Sequence, residues 1–74
     1  MKAERSYNKA IYPESVLRRA ARDYASLGTV NIAEADNANV CFFSSSLVEP
    51  ERMAEEFDNY LIELLNSGEK YADL

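Results

Sequence analysis

Histidine is absent from the chain, which removes the side chain that most often moves protons near neutral pH and most often ligates metals. A single cysteine, Cys41, cannot close an internal disulfide and has no partners with which to build a zinc site. A lone thiol fits a reducing compartment, so a cytoplasmic protein is expected. Two glycines and two prolines leave little material for long loops. The longest uninterrupted apolar run, Val40-Cys41-Phe42-Phe43, is far too short to cross a bilayer, and no charged-then-apolar leader is visible. A soluble protein is expected.

What is present is a short chain of ordinary composition. Its 74 residues are 47% hydrophobic, enough for one folded domain but not for a thick core. A chain of this size buries only roughly 60–65% of its unfolded surface, which leaves hardly any room for an enclosed active-site cavity. The expected organisation is one domain over residues 1–68 with a frayed tail at 69–74. Net charge is −5, unevenly spread. Residues 1–28 hold six cations and three anions, whereas 29–74 hold two cations and ten anions. An acidic total argues against general nucleic-acid binding, because neutralising phosphates needs a concentrated basic surface.

Periodicity places the elements. Tyr7, Ile11 and Tyr12 favour an edge strand within residues 3–12, ending before Pro13. Pro13 suits the first turn of a helix, where its missing N–H costs nothing. Val16, Leu17, Ala20, Ala21, Tyr24 and Leu27 then recur on one helical face, to about residue 27. Gly28 is expected to end that helix in a left-handed conformation. Thr29 to Glu34 alternates with period two, Asp36-Asn37-Ala38-Asn39 is turn chemistry, and Val40 to Phe43 is apolar on both faces, as a central strand would be. Pro50 opens a last helix with Met53, Ala54, Phe57, Tyr60, Leu61, Leu64 and Leu65 in a wide apolar stripe, closed by Asn66-Ser67-Gly68. Glu49, Glu51, Glu55 and Glu56 crowd its positive N-terminal end.

The order β-α-β-β-α predicts an α+β two-layer sandwich. A right-handed crossover makes the outer strands parallel, the third strand lies between them and antiparallel to both, and the three-stranded mixed sheet carries both helices on one face. The other face is then bare. Either Cys41 and Phe43 or Val40 and Phe42 point there, and an uncovered phenylalanine invites a partner. Ile62 is a second oddity, because it falls among the acidic, solvent-facing residues of the last helix. Cys41, Phe43, Asn59 and Ile62 form the candidate partner interface. Arg18, Arg19 and Arg22 form the one candidate basic patch, although an ordinary solvated helix face explains the same charges.

No arrangement here reaches enzyme grade. The glutamates of the last helix lie on an exposed face, and acid–base work needs two carboxylates in unlike environments inside a cleft. Asp36, Asn37 and Asn39 lack the glycine and closing glutamate of a calcium loop. Cys41 has no histidine to activate it, and Ser44, Ser45 and Ser46 have neither a base nor phosphate-cradling glycines. No cofactor, metal or catalytic residue is expected.

The run from Ile11 to Tyr24 resembles the opening of His-Xaa-Ser system protein D (HxsD-like) relatives, which have a strand, a tyrosine, and a helix carrying an alanine pair followed by an aromatic. Glu56-Phe57-Asp58-Asn59-Tyr60-Leu61-Ile62-Glu63 is similar to their closing helix, with a phenylalanine and then an asparagine two residues on. The likeness spans most of residues 7–66. After Ile62 the chain departs, with Leu64-Leu65-Asn66-Ser67-Gly68 replacing a charged continuation. The resemblance implies a small accessory protein of a radical-SAM-associated peptide-modification system, with no catalytic residue to carry over. A non-catalytic accessory or adaptor domain is therefore expected, binding a protein or peptide partner, with a homodimer among its forms. The alternative is a small nucleic-acid-binding or regulatory protein using Arg18, Arg19 and Arg22.

Overall fold

Val40-Cys41-Phe42-Phe43 is apolar on both faces, which suits a strand flanked on both edges. The computed structural model describes residues 2–67 and contains β1 (Ala3–Asn8), α1 (Glu14–Asp23), β2 (Thr29–Glu34), β3 (Ala38–Ser44) and α2 (Pro50–Ser67). The sheet order is β1-β3-β2. β3 lies antiparallel to β1, with Ala3 opposite Phe43 and Tyr7 opposite Asn39, and antiparallel to β2, with Val30 opposite Phe43 and Ile32 opposite Cys41. The outer strands thus run the same way, as the crossover requires, but they never pair. Every ladder is antiparallel, as expected for a third strand lying between the other two.

Local boundaries shift where tertiary contacts intervene. β1 stops at Asn8 rather than running to Tyr12, because the carbonyl of Asn8 accepts the N–H groups of Ile11 (3.1 Å) and Tyr12 (2.9 Å) and turns the chain. Pro13 is the residue just before α1, extended at φ −60°, ψ 144°, rather than a member of its first turn. α1 ends at Asp23, and residues 24–27 tighten into turns, with Leu27 N–H on the Tyr24 carbonyl at 2.9 Å. Gly28 is not left-handed. A Cβ there would stand 2.3 Å from the Ser44 carbonyl oxygen, so glycine is required by close approach to the end of β3. The hairpin turns on Asp36 and Asn37 alone, with Ala35 N–H bonded to the Ala38 carbonyl at 2.8 Å. Ala38 and Asn39 belong to β3.

The helices cover one sheet face. Ala3 and Tyr7 of β1 and Cys41 and Phe43 of β3 are buried there beneath Val16, Leu17 and Ala20 of α1 and Met53, Ala54, Phe57, Leu61 and Leu64 of α2. Phe57 is the common contact. Its ring centroid lies 5.0 Å from that of Phe43, 5.6 Å from Tyr24 and 6.1 Å from Tyr7. The tail expected at 69–74 lies outside the described residues.

Two substitutions test this packing by urea unfolding. Phe57→Ala is expected to cost about 3–5 kcal/mol, against a total of roughly 4–11 kcal/mol for a chain of this length. Gly28→Ala is expected to cost about 1–3 kcal/mol by overpacking, because its methyl group meets backbone that cannot rotate away. An unaltered midpoint in either variant would contradict the geometry.

Candidate functional site

The alternation of β3 decides which face is bare. Cys41 and Phe43, predicted as partner-contacting residues, point beneath the helices and are fully buried. This corrects the sequence reading, since neither can touch a partner in the folded chain. Their neighbours Val40 and Phe42 point the other way, with Phe42 38% exposed and Val40 half-buried. Ala38, Val40 and Phe42 form an apolar stripe down the middle of the open face, flanked by Glu4, Ser6 and Asn8 of β1 and by Thr29, Asn31 and Ala33 of β2. Lys2, Asn31, Phe42 and Ser44 border a recess of about 240 Å3 at one end of this face.

Ile62 is 50% exposed on α2, and Asn59 is exposed one turn before it. Neither lies on the open sheet face, because α2 packs on the opposite side. The predicted interface therefore separates into three parts: a buried pair, an exposed helix flank and an open face whose prominent residue is Phe42.

The basic patch also divides. Arg18 pairs with Glu14 at 2.6 Å, and Arg19 pairs with Asp23 at 3.4 Å. Asp23 also accepts the Tyr60 hydroxyl of α2, which puts Arg19 on the flank of α1 nearest α2. Arg18 lies on the other flank, bordering a groove with Ala21 and with Val30, Asn31 and Ile32 of β2. Arg22 follows Arg18 by one turn, exposed and with no ion pair among the described residues. Three arginines close in sequence thus serve two different surfaces.

Sequence reasoning missed one polar cluster. Asp58 of α2 accepts the Tyr7 hydroxyl at 2.5 Å and faces Arg5 at 3.3 Å, while Arg5 also reaches Glu51 at 3.2 Å. The signal was present, since Arg5 and Tyr7 share one face of β1 and Glu51 and Asp58 are two helical turns apart. The pairing joins elements 46–53 residues apart, however, and needed the fold to bring them together. Tyr7 is 4% exposed, and burial together with the Asp58 carboxylate pushes its phenol above the usual tyrosine range. Arg5 is held above the ordinary guanidinium value, its loss of solvent outweighed by hydrogen bonds to Glu51 and Asp58. Asn39 is a second surprise. It is 2% exposed, and its Oδ1 has no hydrogen-bond partner among the described residues.

The remaining candidates have structural explanations. Burial pushes the Cys41 thiol up to about 11, the direction of an unreactive sulfhydryl. Ser45 Oγ donates to the Leu27 carbonyl at 2.5 Å and accepts the N–H groups of Leu47 (3.0 Å) and Val48 (3.2 Å), tying the end of the α1–β2 turn to the β3–α2 loop. Glu51 is taken by Arg5, and Glu56 lies 3.6 Å from Arg52. Among the described residues, no group of three or more acidic, cysteine or histidine side chains could hold a metal ion, and no helix is long and apolar enough to cross a membrane.

No family model matches the chain, and no curated protein or solved structure matches it.

The buried hydroxyl and thiol generate a pH dependence. Both hold their protons more tightly in the fold than in the unfolded chain, so the stability they contribute is intact below the unfolded value and is lost as pH rises through the folded one. For Cys41 that window runs from 9.0 to about 11. Thermal melts should show a falling Tm across it, and the fall should be shallower in Cys41→Ala. Tyr7→Phe, which removes a hydrogen bond to a carboxylate, is expected to cost about 1.5–3 kcal/mol in urea unfolding.

Proposed function

We propose that the chain is a non-catalytic accessory domain that works by docking to other polypeptides, its open sheet face pairing with a second copy of itself. The observation that carries this reading is the Ala38-Val40-Phe42 stripe, an apolar row on the side of the sheet that neither helix covers. Charge favours a second copy as the occupant. The chain carries 13 acidic and 8 basic side chains, so most of its surface repels another copy. The open face is balanced, with one cation, Lys2, and one anion, Glu4, among small polar residues. A two-fold pairing lets Lys2 of one copy meet Glu4 of the other.

Area sets the strength. Three strands about 4.8 Å apart, rising about 3.3 Å per residue, present roughly 300 Å2 of flat face. A standard stable interface needs about 800 Å2 from each partner. The sheet face alone therefore supports a weak, concentration-dependent dimer, as suits an adaptor that exchanges partners. The likeness of residues 7–66 to small accessory proteins of peptide-modification systems supports the same class of role. The nucleic-acid alternative has less support, because the three arginines do not form one surface: Arg19 lies on the flank of α1 nearest α2, and Arg18 borders the groove beside β2.

Sedimentation equilibrium from micromolar to millimolar protein tests the reading. Association is expected in the wild type and is expected to vanish in Phe42→Glu with little change in Tm. Ile62→Glu is expected to leave both unchanged. Monomer at every concentration would overturn the self-pairing, and failure to retain any product of the neighbouring genes under mild conditions would overturn the accessory role.

A further inference from the structure

The two edges of the sheet are not equivalent. Lys9 N–H bonds to the Asn37 carbonyl at 3.0 Å, so the odd-numbered residues of β1 face β3, and the backbone groups of Glu4, Ser6 and Asn8 point outward. Two of its carbonyls are capped. Arg5 Nη1 donates to the Glu4 carbonyl at 3.2 Å, and the Asn8 carbonyl is taken by the turn to Tyr12. Natural sheets blunt their edges in this way against unwanted pairing.

β2 has no such protection. The Ala35–Ala38 bond that closes the hairpin sets Ala33, Asn31 and Thr29 toward β3, so the N–H and C=O groups of Val30, Ile32 and Glu34 point away from the sheet. Among the described residues nothing bonds to them. Beside this row lies a mostly polar groove of about 310 Å3 between β2 and α1, with Arg18 at its rim and Val30, Ile32 and Ala21 supplying its smaller apolar part. Arg22 adds a cation one turn along, with no ion pair among the described residues. The one anion of this row, Glu34, is neutralised by Lys9 at 2.7 Å, which holds its carboxyl below the usual range. This flank of an acidic chain is therefore positive. The Arg18–Glu14 pair is solvent-exposed and worth little, so Arg18 can exchange Glu14 for a better-placed carboxylate.

We propose that the free edge of β2 takes an extended acidic peptide as a fourth strand, its backbone bonding to Val30, Ile32 and Glu34 and its alternate side chains entering the groove between β2 and α1. Strand addition draws affinity from the main chain and specificity from alternate side chains. The groove selects aliphatic side chains beside Val30 and Ile32 and carboxylates opposite Arg18 and Arg22. This surface is separate from the open sheet face, and it goes beyond the self-pairing proposed above.

The test is a fluorescence anisotropy titration of the full chain at physiological salt. The probe is a blocked, labelled octapeptide with aspartate, valine, valine and aspartate at its odd positions and threonine at the even ones. Binding is expected, and the peptide with lysine for aspartate should bind at least tenfold more weakly, on the order of one lost charge pair. The Arg18→Glu, Arg22→Glu double variant should reverse that preference. Ile32→Pro should abolish binding, because it removes an outward N–H that the sheet itself does not use. A second arm keeps the wild-type protein: methylating the probe's amide nitrogens at one parity should abolish binding, and at the other parity should leave it intact. Equal binding by both methylated probes and the parent would overturn strand addition, as would displacement of the peptide by labelled single-stranded DNA. A self-association lost in Ile32→Pro but not in Phe42→Glu, with no peptide bound, would give the edge to a second copy and also overturn it. Phe42→Glu should bind peptide as the wild type does, so anisotropy and sedimentation distinguish failure here from failure of the open-face pairing.

Discussion

Phe57 is the contact through which the layers hold together. Its ring packs on Phe43 in the central strand, on Tyr7 in an edge strand and on Tyr24 just beyond the first helix. One side chain thus fixes the distance of α2 from the sheet and brings the end of α1 against it. Because a thin core has few such contacts, both helices must sit on the same side. The second sheet face stays open as a direct result, and the surfaces available to other molecules follow from where Phe57 packs.

Charge then differentiates what the packing leaves exposed. Arg5, Glu51, Asp58 and the Tyr7 hydroxyl bind β1 to α2 and guard that edge of the sheet. At the opposite edge, beside Arg18 and Arg22, the outward backbone groups of β2 have no partner among the described residues. Each exposed ion pair contributes little to stability on its own. Their placement matters more, since it leaves one edge partly capped, one edge cationic, and one face neutral in a chain that is otherwise acidic.

Much of the architecture was legible in the residues. The stripe from Met53 to Leu64 marked the buried side of α2, and the doubly apolar run from Val40 to Phe43 marked the central strand. Period-two alternation could not say which of Cys41 and Val40 faced the helices, because both faces of that strand read as apolar. Asn39 reads as a turn residue by type, yet it is buried in a ladder opposite Tyr7. Gly28 reads as a helix terminator, and its real constraint comes from Ser44 in another strand. In each case the deciding contact lies far away along the chain, where a local pattern carries no information.

The sequence by itself determined the order of elements, the central position of β3 and the side of α2 that is buried, because these follow from hydrophobic periodicity within single segments. The tertiary structure alone decided that Phe42 rather than Phe43 meets solvent, that three neighbouring arginines serve two surfaces, and that two carbonyls of the β1 edge are capped while the outward groups of β2 have no partner among the described residues. Those outcomes depend on register and on side chains reaching across the sheet. Register couples residues tens of positions apart, and a shift of one residue reverses every side chain in a strand.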